Sequence, residues 1–154
     1  MNAPAATTPA KDTTETWLRL YWPAVVFFVA ATAIRLHWNL EVHPIGDYIY
    51  SDMRGYMDRA NGIFDDQWGV REYNGFYPYG THVLLYAIMR VFGQGNYPAI
   101  GAVYAVFGGL LTAYAYVLAT MVSRHRVVHL ATGALMVVYY PLISLGGYFL
   151  SEVP

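Results

Sequence analysis

Residues 91–151 read VFGQGNYPAIGAVYAVFGGLLTAYAYVLATMVSRHRVVHLATGALMVVYYPLISLGGYFLS, and their only formal charges are Arg124 and Arg126. A soluble fold must cover its core with polar surface, and a stretch so poor in charge cannot supply it. A bilayer removes that need. The chain is therefore read as an integral membrane protein of all-α class, a polytopic bundle of transmembrane helices. Residues 98–122 form one span, in which Gly101, Gly108, Gly109, Ala113 and Ala115 let helices approach closely. The basic turn Ser123-Arg124-His125-Arg126 follows, and residues 127–145 form another span. His125 and His129, at i and i+4 beside that turn, read as interfacial residues rather than a metal pair.

Working back toward the N-terminus, residues 79–92 (YGTHVLLYAIMRVF) are apolar but short, and Gly93-Gln94-Gly95-Asn96 ends them. That length suits a tilted, short or partly submerged span. Residues 17–38 make a further span with an uncharged middle, AVVFFVAATAI. About 20 apolar residues match a hydrocarbon core of about 30 Å. Trp17, Tyr21, Trp22 and Trp38 suit the two aromatic belts, and Pro23 is tolerated near a helix start. The apolar stretch exceeds the roughly 7–15 residues of a signal-peptide core and follows no strongly basic segment, which favours an uncleaved span. Residues 1–16 (MNAPAATTPAKDTTET) read as a flexible polar tail.

Composition agrees with this reading. Hydrophobic residues are 56% and charged residues 12%, against roughly 25% charged in a soluble domain. A net charge of -1 excludes a basic nucleic-acid module, and the absence of Cys excludes a disulfide scaffold or thiolate metal site. The loop of residues 39–76 holds Glu41, Asp47, Asp52, Asp58, Asp65, Asp66 and Glu72 against Arg54, Arg59 and Arg71. Without a Lys/Arg excess it belongs outside, leaving the N-terminal tail, with Lys11 and Arg19, inside. If all four apolar segments cross, the basic turn falls outside and Glu152 inside. The positive-inside rule prefers the reverse. The sequence leaves both open, and the short segment 79–92 is where the count most easily fails.

Within the loop, SDMRGYMDRANGIF (residues 51–64) has helical periodicity: Met53, Tyr56, Met57, Ala60 and Phe64 form one stripe, with Asp52, Arg54, Asp58, Arg59 and Asn61 off it. Ser51 suits an N-cap and Asp52 the first turn. Such a helix is expected along the membrane interface. No P-loop, GxGxxG, HExxH or GxSxG motif is present. The carboxylates at membrane depth, Asp52 and Glu152, are the functional candidates. Four spans with no closing soluble segment read as the amino-terminal part of a larger protein.

The order of features is similar to the amino-terminal part of the GT-C glycosyltransferases. It runs from a first span to Asp52-Met53-Arg54-Gly55-Tyr56-Met57-Asp58-Arg59-Ala60 in the external loop, then Tyr77-Pro78-Tyr79-Gly80-Thr81-His82, further spans, and Glu152. The sequence most resembles the protein O-mannosyltransferase and aminoarabinose-transferase branch, whose external loop carries a D-x-x-x-Y-x-x-x-A pattern. The chain departs from that branch at Met53, where many relatives have a second acid. It also lacks a counterpart, beside Tyr77, of the Lys found there in some members.

The resemblance implies an enzyme of the cell membrane, multi-pass, that moves a sugar from a polyprenyl-phosphate donor to an acceptor on the non-cytoplasmic face. Direct displacement would invert the anomeric centre. Asp52 would be the general base. Arg54, Arg59 or Arg71 would stabilise the leaving phosphate. Tyr56 and His82 would complete the substrate site, and Glu152 would position the acceptor, act on Asp52, or ligate a divalent cation with it. Arg54 lies about 200° around the helix from Asp52 at 100° per residue. Two other readings remain from the residues alone. One is a non-catalytic four-helix membrane subunit. The other is a transporter fragment, disfavoured because the spans carry no mid-membrane ionisable residue.

Overall fold

The computed structural model describes residues 13–65 and 77–149, with side chains from residue 21 onward. Six α-helices account for the regular structure among these residues, together with two short turns of other helical pitch, and no strand occurs among them. The helices are α1 (Thr13–His37), α2 (Ser51–Phe64), α3 (Tyr79–Phe92), α4 (Tyr97–Val122), α5 (Arg126–Val138) and α6 (Tyr140–Leu145). The expected tail therefore ends early, because its last four residues already belong to α1. Pro23 consequently sits inside α1 rather than near its start.

Two helices are long and apolar enough to cross a membrane: α1 with the π-turn Trp38–Val42 that continues it, over Tyr21–Val42, and α4. At 1.5 Å per residue they measure about 33 and 39 Å. A core helix of a soluble protein is mostly buried. Here only 17% and 22% of the apolar stretches are covered by protein. Val25, Val26 and Val29 of α1 and Leu110, Leu111 and Tyr114 of α4 stand exposed.

α1 and α4 pack antiparallel through small residues. Gly109 lies against Thr32 and Phe28, and Gly108 against Arg35. Asn39 Nδ2 donates to the Gly101 carbonyl at 2.9 Å, and Phe27 meets Tyr116 at a ring-centroid distance of 5.4 Å. α5 then returns alongside α1, with Gly133 against Phe27. The expected span 127–145 is broken: α5 stops at Val138 and α6 restarts at Tyr140. Pro141 is the physical reason, since it has no N–H to return to the preceding turn. The break leaves the last carbonyls of α5 without intrahelical donors. Arg35, 1% exposed, meets one of them: its Nη2 donates to Met136 O at 3.2 Å, while Nη1 donates to Ala31 O at 3.2 Å. A cation at a helix C-terminus also favours the helix dipole. Arg35 is thus a buried cation in the last turn of α1, held by two carbonyls.

The segment expected as a second span is not one of the two long apolar helices. α3 has 14 residues, about 21 Å of helix. It packs instead into a core shared with α2 and α4: Leu85, Ile88 and Met89 meet Met53, Met57, Ile100 and Tyr104. Gly46, in the 3-10 turn Ile45–Tyr48 that follows α1, lies against the Tyr97 ring at the start of α4. The end of α1 and the start of α4 thus lie together. α2 and α3 pack beside these two points, and the basic turn after α4 sits at the opposite end.

α2 has the bounds that its periodicity predicts, and Met53, Tyr56, Met57, Ala60 and Ile63 are buried. Its apolar stripe is covered by α3, Ile100, Tyr104 and Phe149 rather than offered to a bilayer. The apolar side expected to meet the membrane interface thus meets protein instead.

Candidate active site

The start of α2 is strained. Ser51 does not cap the helix. The N-cap is Tyr50, in extended conformation, with no side-chain capping bond. Ser51 is the only non-glycine residue with positive φ (50°) among the described residues. A left-handed L-residue costs about 1–2 kcal/mol and persists only where its surroundings hold it. Asp52 follows in the first turn, half-buried.

Asp52, Gly55, Tyr56 and Arg59 fall at i, i+3, i+4 and i+7, on one face of α2. The Tyr77 ring lies on that face. A Cβ on Gly55 would stand 2.5 Å from its atoms, so only glycine leaves the ring its place. Tyr56 meets the ring edge-on at 5.1 Å, and the Arg59 guanidinium lies 4.5 Å over its centroid. Cation–π contact of this kind contributes about 0.5–2 kcal/mol and orients the guanidinium plane. Of the arginines proposed for the phosphate, Arg59 shares the Asp52 face. Arg54 is exposed on another, and Arg71 lies outside the described residues.

Tyr56 is 2% exposed and belongs to the core, so its ring supports Tyr77. His82, in the first turns of α3, is 5% exposed and packs 5.0 Å from the Tyr79 ring. Burial lowers its pKa, the nearby Arg59 charge lowers it further, and the Pro78 carbonyl partly offsets both. Asp52, Tyr56 and Arg59 therefore gather on one face, with Tyr77 seated on it and His82 within the field of Arg59. Glu152 lies outside the described residues. Among the described residues no three His, Cys, Asp or Glu side chains are grouped to hold a metal ion.

A second group was not anticipated. His43 stacks on Tyr48 at 3.6 Å and lies parallel to Trp38 at 6.1 Å, with 3° between the planes. Its Nε2 is 3.3 Å from the Tyr148 hydroxyl. Asn39, 1% exposed, donates Nδ2 to the carbonyls of Gly101 (2.9 Å) and Gly146 (3.2 Å), tying residues 146–149 to the end of α1. Phe149 is fully buried in the core that holds Met53 and Tyr56. The density of aromatic and imidazole side chains over residues 38–50 was the available signal. What the sequence hid was that Tyr148, a hundred residues on, completes the group.

No protein-family model, no curated protein and no solved structure matches this chain. The chemistry of the site therefore rests on its own geometry. A half-buried carboxylate can accept a proton. A guanidinium seven residues along the same face, an axial rise of about 10 Å, can receive an anion.

Proposed function

We propose that the protein is an inverting glycosyltransferase of GT-C type, taking a sugar from a polyprenyl phosphate and passing it to an acceptor hydroxyl or amine at the membrane surface. The observation that carries this reading is the Asp52–Arg59 face of α2, set beside the junction of two membrane-length helices. Asp52 is the general base that takes the acceptor proton as the acceptor attacks the anomeric carbon. Arg59, steered by Tyr77, receives the departing phosphate.

The helix ends support a site on the non-cytoplasmic side. α2, α3 and residues 146–149 gather at one end of α1 and α4, and the Ser123–Arg126 turn lies at the other. With α3 not crossing, the positive-inside rule puts the basic turn in the cytoplasm. Phe149, three residues before Glu152, packs against the Asp52 helix. Glu152 lies outside the described residues, and on this reading it is the second acid that the resemblance implies, which with Asp52 would hold a divalent cation if the reaction uses one.

The test is transfer by the full-length protein in detergent or liposomes from a polyprenyl-phosphate sugar. Asp52→Asn is expected to lower the rate by at least about 10²-fold, the scale of a lost general base. Undiminished transfer by this variant would remove Asp52 from the chemistry.

A further inference from the structure

The turn between α4 and α5 combines bare positive charge with bare apolar surface. Arg124, His125 and Arg126 are all exposed. Between Glu72 and Glu152 the chain holds no acid. The acids whose side chains are described lie in the segments after α1, at the other end of α4. On either side of the arginines stand some of the most exposed large apolar side chains of the protein: Met121 at 73%, Val122 at 82% and Val127 at 78%.

The turn is braced from below. His129, 6% exposed, donates from Nε2 to the Ser123 carbonyl at 2.8 Å, and the Ser123 hydroxyl oxygen accepts from the His125 N–H at 3.1 Å. A single extended residue, His125, separates the two arginines. Their Cα atoms are therefore at most about 7 Å apart, close enough for two long side chains to meet on one phosphate. α5 begins at Arg126 without a side-chain cap, and the N–H groups of its first turn add partial positive charge.

Depth decides what kind of anion fits. Val122 is the last residue of α4, one of the two helices of membrane length. The turn thus falls where hydrocarbon gives way to headgroups. A free phosphate or a nucleic acid would satisfy the arginines but leave Met121, Val122 and Val127 in water. A lipid satisfies both, with phosphate for the cations and acyl chains for the apolar side chains. We propose that the Ser123–Arg126 turn binds the phosphate of an anionic lipid headgroup through Arg124 and Arg126, with Met121, Val122 and Val127 set among its acyl chains. Binding requires the bilayer location read from α1 and α4, and it is independent of the transferase reading.

The test measures which lipid sits at the turn. The chain has no cysteine, so a fluorophore at Val128→Cys, one exposed position beyond the proposed contacts, reports there alone. The full-length protein is reconstituted in phosphatidylcholine vesicles. These contain a minority of nitroxide-labelled phosphatidylglycerol or, in the second arm, the same amount of nitroxide-labelled phosphatidylcholine. Phosphatidylglycerol is expected to quench more effectively, with each arginine contributing about fivefold to the preference, the attraction of a basic residue for an anionic surface. Arg124→Gln should lower the preference, the double variant Arg124→Gln/Arg126→Gln should abolish it, and Arg124→Lys/Arg126→Lys should retain most of it. The same fluorophore at Asp47→Cys, at the other end of the helices, should show no preference. Equal quenching by the two lipids in the parent overturns the proposal without recourse to any variant. So does a preference that survives the double Gln variant. Relief of quenching by inorganic phosphate at constant ionic strength would assign the turn to the free anion instead of the lipid. Transfer activity plays no part in these readings, so this test and that of Asp52 fail independently.

Discussion

Gly55 illustrates how one missing carbon organises a site. Its Cα–H face receives the Tyr77 ring, and that ring carries Arg59. In Gly55→Ala two effects compete. Alanine gains about 1 kcal/mol of helix propensity. The added methyl displaces Tyr77, which costs a similar amount in aromatic and cation–π contact. The expected outcome is a stability change within about 1 kcal/mol by thermal unfolding and, on the proposed transferase reading, a rate at least about 10-fold lower, because Arg59 loses its platform. At the same scale, His82 makes stability depend on pH. Its folded pKa lies below the usual 6.5, so the unfolded chain takes up the proton first. This contribution to stability is complete above 6.5 and declines as pH falls through the window beneath it. Melting temperatures recorded from pH 7.5 down to 5.5 should drop, and His82→Gln should flatten the slope. A slope unaffected by that substitution would assign the acid sensitivity to other groups.

Among the helices, α5 depends most visibly on a single side chain. Pro141 ends it, and Arg35 supplies a donor to Met136 in its last turn from a neighbouring helix. Arg35→Ala removes the stem that packs on Gly108 and leaves two buried carbonyls without this donor. The expected cost is about 2–4 kcal/mol, read by thermal unfolding in detergent micelles. Arg35→Met keeps most of the packing volume and should cost about half as much. Equal losses in the two variants would mean that hydrogen bonding, not packing, accounts for the effect. α2 behaves differently. Its period of apolar residues was enough to set its bounds, yet its destination was not, because an amphipathic stripe fits a bilayer surface and a protein core equally well.

For the molecule as a whole, the decisive relation is that α1 ends where α4 begins. α2 and α3, which lie between them in the chain, pack against the first turns of α4. Residues 146–149 come back to the same place, as the Asn39 and His43 contacts require. Single cysteines at Asp47 and His125, both exposed, test the arrangement in intact cells or sealed vesicles. A membrane-impermeant thiol reagent should modify Asp47→Cys from outside and reach His125→Cys only after permeabilisation. Labelling of both from the same side would refute an odd number of crossings between them. The exposed apolar faces of α1 and α4 add a simpler consequence: an alkaline carbonate wash should leave the protein in the membrane pellet.

By itself the sequence determined that the chain is helical and apolar, the bounds of α2, α3 and α4, and the acidic character of the loop holding Asp52. Composition and local period suffice for these, because each depends on neighbours within a few turns. Three things depended on the tertiary structure. α3 finds a protein partner for its apolar side in the core that it shares with α2 and α4. Arg59 rather than Arg54 shares a platform with Asp52, because Tyr77, far along the chain, arrives on that face. Tyr148 reaches back to His43 across a hundred residues, joining the end of the described chain to the segment after α1. Each is a contact between distant segments, and no pattern of spacing encodes which of several similar faces two segments will choose. That choice belongs to packing, where volume and hydrogen-bond geometry must be satisfied together.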